Sequence, residues 1–190
     1  MKINEIFYSI QGEGANAGRP AIFIRFSGCN LLCPFCDTRH QSYKEMSTEE
    51  VLREVRKYPC DFIVLTGGEP TLQITSEFLS ALEDYEIALE TNGTRPVPKG
   101  VDWVTCSPKN SYISSAKIRI EWADEVKYVI DEECPFPAID ELKACYHYIQ
   151  PCDTGDAERN KRIQERCVKF VKNNPRWKLS IQLQKILNIR

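Results

Sequence analysis

Three closely spaced cysteines are the residues of this sequence best suited to chemistry. Cys29, Cys33 and Cys36 lie in "SGCNLLCPFCDT", and the other six of the nine cysteines are scattered singly. Three thiolates can bind three irons of a cubane [4Fe–4S] cluster and leave the fourth iron open to a small molecule, whereas electron-transfer clusters use four cysteines. The alternative is zinc, which takes four ligands in structural sites, and His40 is near enough in sequence to be the fourth. We call the three residues the three-cysteine motif.

Glycine-rich and polar segments follow several apolar runs of the sequence. Gly67-Gly68-Glu69-Pro70 comes after the run "FIVL", and other polar segments come after residues 26, 89, 106 and 149. In parallel α/β folds, chemistry collects at the C-terminal ends of the strands. We therefore expect these segments to form one composite site.

Seven apolar runs predict the strands that position these segments. They are Ala21–Phe26, Phe62–Leu65, Ile87–Glu90, Trp103–Cys106, Glu125–Ile130, Tyr146–Ile149 and Leu179–Leu183. Helices are predicted after the capping box Ser47-Thr48-Glu49-Glu50 and over Ser76–Glu83, Ile139–Lys143 and Ala157–Lys172. Strands that alternate with helices indicate parallel βαβ units. This alternation predicts an α/β fold. A complete barrel takes about 250 residues, so the 190 residues of this chain are too few to close one. We expect a partial, open (βα) barrel of six or seven mostly parallel strands in one domain, 1–190.

Composition narrows the classes of partner and location. The net charge of −2 disfavours unaided nucleic-acid binding. No apolar run approaches the roughly 20 residues of a membrane span, and the first residues lack the pattern of a signal peptide. An odd number of cysteines argues against a disulfide framework. We expect a cytoplasmic protein with no nucleic-acid or membrane partner.

The three-cysteine motif, with Phe35 before its last cysteine, and the Gly67–Pro70 motif after a strand resemble the radical S-adenosylmethionine superfamily. The resemblance implies that the methionine amine and carboxylate chelate the open iron and that reductive cleavage yields a 5′-deoxyadenosyl radical. It also implies that the backbone of the Gly67–Pro70 motif and the Glu69 side chain bind the methionyl amine. The alternatives are a glycyl-radical activating enzyme, which shares the cysteine spacing, and a zinc-binding interaction module.

Further motifs over nearly the whole chain resemble the 7-carboxy-7-deazaguanine synthase family. They are "YSIQGEG" (Tyr8–Gly14), "FIRFSGCNLLCPFCDT" (Phe23–Thr38), "TGGEPTLQ" (Thr66–Gln73), "ETNGT" (Glu90–Thr94), "CSPK" (Cys106–Lys109), "YIQPCD" (Tyr148–Asp153) and "LSIQLQKIL" (Leu179–Leu187). The resemblance implies a homodimeric lyase that contracts the ring of 6-carboxy-5,6,7,8-tetrahydropterin and expels ammonia, in queuosine and 7-deazapurine biosynthesis. It implies a [4Fe–4S] cluster, S-adenosylmethionine, Mg²⁺ and an external one-electron reductant such as flavodoxin or ferredoxin.

When the family's functional residues are carried over position by position, five residues of this chain are expected to bind the pterin. They are Ile10, Gln11, Gly12, Arg25 and Thr66. Arg25 would bind the substrate carboxylate; its alternative is a buried structural ion pair, because an arginine in an apolar strand needs a polar partner. The alternative for Thr66 is a hydroxyl bonded to the strand-end backbone, and for residues 10–12 it is a glycine-rich turn.

The resemblance also assigns residues to S-adenosylmethionine and to Mg²⁺. Residues expected along S-adenosylmethionine are Phe35, Cys36, Asp37, Gly68, Ser107, Pro108, Lys109, Gln150, Pro151, Cys152 and Asp153. Lys109 suits a carboxylate and Asp153 a ribose hydroxyl, although each alone resembles a surface charge. Thr38 would bind Mg²⁺, which needs few protein ligands; alternatively it is a helix cap or a turn residue.

Three other positions bear on the same site. Glu90 and Asn92 lie at another strand end and fit the same wall, although Asn-Gly is first a turn signal. Gln184 stands where the family often has histidine, and glutamine cannot be protonated. A titrating role at that position is therefore not expected.

Overall fold

The computed structural model describes residues 1–36 and 42–190. Asp37 and Thr38, which were assigned to S-adenosylmethionine and Mg²⁺, lie outside the described residues, as does His40.

One sheet of nine strands organises the described residues. The strands are β1 Lys2–Ile10, β2 Pro20–Phe26, β3 Lys44–Glu45, β4 Phe62–Gly67, β5 Glu86–Thr91, β6 Trp103–Cys106, β7 Trp122–Ile130, β8 Lys143–Pro151 and β9 Trp177–Leu179. Their order is β3-β1-β2-β4-β5-β6-β7-β8-β9. β1 runs antiparallel to β2 and β3, and every pair from β2 to β9 is parallel. Because β3 and β9 do not pair, the sheet stays open, which confirms the predicted fold class.

The strand count exceeds the expected six or seven because sequence patterns missed β1 and β3. β1 buries only Ile3 and Phe7 fully, and its pairing register with β2 shifts between Ile3 and Glu5. A bulge of this kind breaks the alternation by which a strand is recognised. β3 has two residues, and both are exposed.

Four α-helices accompany the sheet in the described part of the chain: α1 Thr48–Val55, α2 Ser76–Ser80, α3 Ala157–Asn173 and α4 Leu183–Ile186. The capping box before α1 is confirmed, since Ser47 accepts from Glu50 N and Glu50 accepts from Ser47 N. No helix in the described part of the chain has the length and apolar character needed to cross a membrane.

Two element predictions were wrong. The helix expected over Ile139–Lys143 is a turn, because Lys143 begins β8 and pairs with Trp122 of β7. The strand expected over Leu179–Leu183 ends at Leu179, and Leu183 begins α4. In both segments a pairing or packing partner distant in sequence overrides the local pattern.

The two faces of the sheet explain where the polar residues point. On the face covered by α1 and α2, β2 contributes Ile22, Ile24 and Phe26 to the core, all fully buried. On the opposite, concave face, the middle of β2, β4 and β5 carries the buried apolar residues Phe23, Val64 and Ala88. Two residues further along the same strands are Arg25, Thr66 and Glu90. Since side chains alternate between faces, these polar residues share the concave face with the apolar ones. The floor is thus apolar and the C-terminal rim is polar.

Candidate active site

A cavity of about 300 Å³ opens at the polar rim of the concave face. Most of the residues that the sequence assigned to a site line it: Ile10, Gln11, Gly12, Arg25, Cys29, Cys33, Phe35, Cys36, Thr66, Gly68, Ser107, Lys109, Gln150, Pro151, Cys152 and Asp153. Pro108 is buried and does not line the cavity. Motifs spread over more than a hundred residues of sequence therefore meet in one place.

The three-cysteine motif forms one side of this cavity. Cys29 and Cys33 are partly buried, Cys36 is exposed, and all three are free thiols. The Cys29 sulfur accepts from Leu31 N at 3.4 Å and lies 3.9 Å from Asn92 Nδ2. Burial raises the pKa of both Cys29 and Cys33. Burial thus disfavours the thiolate form of both cysteines. A bound metal would stabilise that form, because it supplies a positive charge.

Three thiolates that line one side of a cavity suit an iron–sulfur cluster. Within residues 1–36 and 42–190, no three His, Cys, Asp or Glu side chains converge on a point that would hold one metal ion. A zinc ion needs its sulfurs at about 2.3 Å from one centre. A cubane cluster takes one thiolate per iron, so its three cysteines line a volume instead of meeting at a point. The three-cysteine motif lines the cavity in this way.

The Gly67–Pro70 turn is tied to the loop that carries the cysteines. Gly68 N donates to Phe26 O and Glu69 N donates to Gly28 O, each at 3.0 Å. Gly67 and Gly68 line the cavity. The turn and the cysteine loop therefore hold a fixed relative position, as a ligand bridging the two would require.

The Glu69 side chain does not line the cavity. It is fully buried, and its carboxylate accepts from Thr91 Oγ1 at 2.7 Å, Asn92 N at 2.7 Å, and both the backbone N and the Oγ1 of Thr71. These bonds join the turn to the end of β5. Gly67 and Gly68 of this turn line the cavity, and the expected contact between the Glu69 carboxylate and the methionyl amine stays a prediction.

Arg25 forms an ion pair within the protein and also faces the cavity. Its Nε donates to Glu5 Oε1 at 2.9 Å, and the guanidinium carbon lies 5.8 Å from the centre of the Phe7 ring. The side chain is 26% exposed and lines the cavity. Among the described residues, its terminal nitrogens donate to no protein acceptor. The ion pair with Glu5 thus orients the arginine, and the two terminal guanidinium nitrogens remain available to bind a carboxylate.

Glu90 joins two of the residues assigned to the substrate. Its Oε1 accepts from Gln11 Nε2 at 3.0 Å and its Oε2 from Thr66 Oγ1 at 2.7 Å. Thr66 therefore bonds a carboxylate across the strands, not the strand-end backbone. Because each carboxylate oxygen accepts more than one hydrogen bond, Glu90 can still receive an N–H from a ligand in the cavity.

Lys109 places a half-buried ammonium group in the cavity wall. Its Nζ donates to the backbone oxygen and to Oγ of Ser107, each at 2.6 Å. Burial lowers the pKa of Lys109 and outweighs the nearby thiols and Glu69. A partly buried ammonium that pairs with no carboxylate among the described residues favours an anionic ligand, because a ligand carboxylate would compensate its charge.

Asp153 also lines the cavity and is held by several donors. It accepts from Lys185 Nζ at 2.6 Å, Asn160 Nδ2 at 2.7 Å and Gly155 N at 3.0 Å. The hydrogen bond from Lys185, followed by those from Gly155 and Asn160, lowers the pKa of Asp153 to about 2. The carboxylate is thus ionised and fixed at the end of β8, where it can accept a hydroxyl.

Sequence reasoning missed a buried ion pair in the same cavity. The Lys127 ammonium donates to the Glu13 carboxylate, and both side chains line the cavity. The available signal was the alternation of ionisable and apolar residues in "EVKYVI" of β7. A charge inside a buried strand needs a partner, so this pattern predicts one.

The C-terminal segment covers the Gln11–Ala15 loop that follows β1. Leu183 N donates to Gly12 O at 3.1 Å, while Gln184 Nε2 donates to Glu13 Oε1 at 3.2 Å. Gln184 Oε1 is buried and has no hydrogen-bond partner among the described atoms. At the position where the family often has histidine, this chain thus uses an amide to hold Glu13.

Comparison with known proteins gives consistent results. The profile of the radical SAM superfamily matches residues 23–109. The chain is 44% identical over 191 residues to a 7-carboxy-7-deazaguanine synthase of Bacteroides thetaiotaomicron, covering all of this chain and 98% of that protein. It is 37% identical to one of Haemophilus influenzae, over all of this chain and 94% of that protein. The crystal structure of QueE from Escherichia coli superposes with a TM-score of 0.75 at 27% identity, covering 95% and 93% of the two chains.

Proposed function

Because the chain belongs to the 7-carboxy-7-deazaguanine synthase family of radical S-adenosylmethionine enzymes, we propose that it converts 6-carboxy-5,6,7,8-tetrahydropterin to 7-carboxy-7-deazaguanine. The reaction contracts the pterin ring and releases ammonia, so the enzyme is a carbon–nitrogen lyase. It serves the biosynthesis of queuosine and related 7-deazapurines.

The observation that carries this function is the shared cavity. The three-cysteine motif and the Gly67–Pro70 turn border the same space as the Gln11–Gly12 segment and Arg25. When bound, the [4Fe–4S] cluster and S-adenosylmethionine supply a carbon-centred radical that removes hydrogen from the substrate. The protein provides the binding, the orientation and the exclusion of water.

S-adenosylmethionine is proposed to lie between the cysteine loop and the end of β8. Lys109 offers its ammonium to the methionyl carboxylate, and Asp153 accepts a ribose hydroxyl. Phe35, in edge contact with Tyr112 at 4.6 Å between ring centres, borders the same ligand. Gly68, Ser107 and residues 150–152 complete this wall.

The pterin is proposed to lie on the other side, toward β1 and β2. Arg25 binds its carboxylate through the terminal guanidinium nitrogens. Glu90, already bonded to Gln11 and Thr66, receives an N–H of the ring. Backbone groups of residues 10–12 complete the contact. The apolar floor beneath, with Phe7 and Phe23 stacked at 5.0 Å, excludes water from the reacting ring.

Mg²⁺ is assigned to Thr38 on the resemblance alone. Since one neutral oxygen binds Mg²⁺ weakly, its occupancy should depend on substrate oxygens. Turnover should rise with Mg²⁺, and Thr38→Ala should weaken that response without changing the iron content. Equal wild-type turnover with Mg²⁺ and with excess EDTA would contradict the assignment.

Homodimerisation, a flavodoxin-like or ferredoxin-like reductant and a cytoplasmic location complete the proposal. The odd number of cysteines argues against a disulfide framework, which suits a reducing compartment. A single domain over 1–190 is proposed as well, since one sheet connects both ends of the chain.

The function is tested by incubating the anaerobically reconstituted protein with the carboxylated tetrahydropterin, S-adenosylmethionine, Mg²⁺ and reductant. We expect mass spectrometry to detect 7-carboxy-7-deazaguanine only in the complete mixture. Cleavage of S-adenosylmethionine without this product would contradict the assigned substrate.

A further inference from the structure

Two ionisable side chains of β7 lie beneath the Gln11–Ala15 segment, which we call the substrate loop. Glu125 and Lys127 are two residues apart, so they project from the same face of the strand. They are only 3% and 5% exposed. Neither belongs to the motifs that carry the family resemblance.

Lys127 holds the middle of the substrate loop from within the protein. Its ammonium donates to Glu13, whose Oε1 also accepts from Gln182 Nε2 at 2.7 Å. Burial would lower the pKa of Lys127, but the carboxylates of Glu13, Glu90 and Glu125 outweigh this and raise it. The lysine is therefore charged, and the pair is ionic.

Glu125 holds the end of the loop. Its Oε2 accepts from Ala15 N at 2.7 Å, and its Oε1 accepts from Thr105 Oγ1 at 2.9 Å. Within the described residues, two backbone bonds close the base of the loop, Gln11 N to Arg19 O and Gly18 N to Gln11 O, each at 2.8 Å. Backbone bonds reach the path from Gly12 to Ala15 at two points, from Leu183 N to Gly12 O and from Ala17 N to Gly14 O. Side chains hold the rest of this path, and two of them come from β7.

We propose that Lys127 is a positioning residue for substrate binding: by holding Glu13 it fixes the loop whose Gln11 and Gly12 face the cavity. This inference rests on the proposed function, since it assigns that loop to the pterin. A buried ion pair adds little net stability, because desolvation offsets its attraction. Its directional, charge-assisted hydrogen bond nevertheless selects one loop geometry.

The test removes the pair without leaving a buried unpaired charge. Lys127→Met alone would leave the Glu13 carboxylate buried without its cationic partner. The double variant Lys127→Met/Glu13→Gln is therefore the main variant. We expect its KM for the pterin to rise about tenfold, while cleavage of S-adenosylmethionine without pterin stays within twofold of wild type. Lys127→Arg, which keeps the charge, should recover at least half of the lost affinity. Lys57→Met, at an exposed lysine paired with Glu54, is the matched control and should leave KM unchanged.

A second measurement separates this inference from the proposed function. Hydrogen exchange of peptides covering residues 11–16, measured without any ligand, should be about tenfold faster in the double variant and unchanged in Lys57→Met. If wild type makes no product but exchange still accelerates, the proposed function fails and the role of Lys127 in the loop stands. Wild-type exchange in the folded double variant, or a wild-type KM, would overturn the inference.

Discussion

Gly67→Ala should separate the strain of a positive φ from the close approach of two strands. Gly67 ends β4 and pairs with Phe26 of β2. Its φ is +110°, and a Cβ there would lie 2.4 Å from Phe26 O and 2.7 Å from Phe26 N, distances that real Cβ atoms essentially never show. The two Phe26 atoms are backbone atoms of a fully buried residue, so they cannot rotate away. The third close atom is Cγ of Arg25, at 2.7 Å.

The magnitude follows from the two contributions. A non-glycine residue at such a φ costs about 2 kcal/mol, and overpacking against a fixed neighbour costs about 2 kcal/mol more. At about 2–4 °C per kcal/mol for a chain of this size, Tm should fall by about 8–16 °C. Gly18→Ala is the matched control, because Gly18 has φ +92° and nothing within 4 Å of a Cβ. It should lose only the strain part, about 4–8 °C.

The assay is thermal unfolding of both variants and wild type, followed by circular dichroism under reducing conditions. Equal losses in Tm for the two variants would refute the reasoning, because they would mean that the close contact with the Phe26 backbone lowers stability no further. A Gly67→Ala variant as stable as wild type would refute it as well.

Three further predictions concern the site. Replacing the three-cysteine motif by alanine should abolish iron and sulfide binding on anaerobic reconstitution, whereas Cys145→Ala, at an exposed cysteine outside the motif, should retain both. Arg25→Ala should raise the KM for the pterin by more than about 30-fold, because losing a desolvated charge contact costs about 2–5 kcal/mol, and should spare cleavage of S-adenosylmethionine; a lower Tm with unchanged KM would instead favour a purely structural pair with Glu5. Burial alone would raise the pKa of Glu13, but the Lys127 charge and three hydrogen bonds lower it from 4.5 to about 2. The stability that Glu13 contributes is therefore present above pH 4.5 and lost as pH falls toward 2, so urea unfolding of Glu13→Gln should depend less on pH in this window than that of wild type.

Much of the site was predictable because its parts are local patterns. The spacing of the three-cysteine motif and the glycine turn after "FIVL" can be recognised without a structure. The relatives confirm the family that these motifs indicated. Because the motifs follow parallel strands, their meeting at one edge follows from the fold class.

What could not be predicted depends on pairing between distant residues. The orientation of Glu69 follows from donors at Thr91 and Asn92 at the end of another strand. The turn before β8 exists because Lys143 pairs with Trp122. Lys127 was visible as a charge in an apolar strand, but its partner Glu13 lies 114 positions away. Local propensity carries no information about such contacts.

The most direct test of the proposed function is the stoichiometry of the reaction. The carboxylated tetrahydropterin is supplied with limiting S-adenosylmethionine, Mg²⁺ and reductant, and the product, ammonia and remaining S-adenosylmethionine are quantified together. We predict one ammonia for each 7-carboxy-7-deazaguanine formed, and many products for each S-adenosylmethionine consumed. Consumption of S-adenosylmethionine with no ammonia and no ring-contracted product would contradict the account.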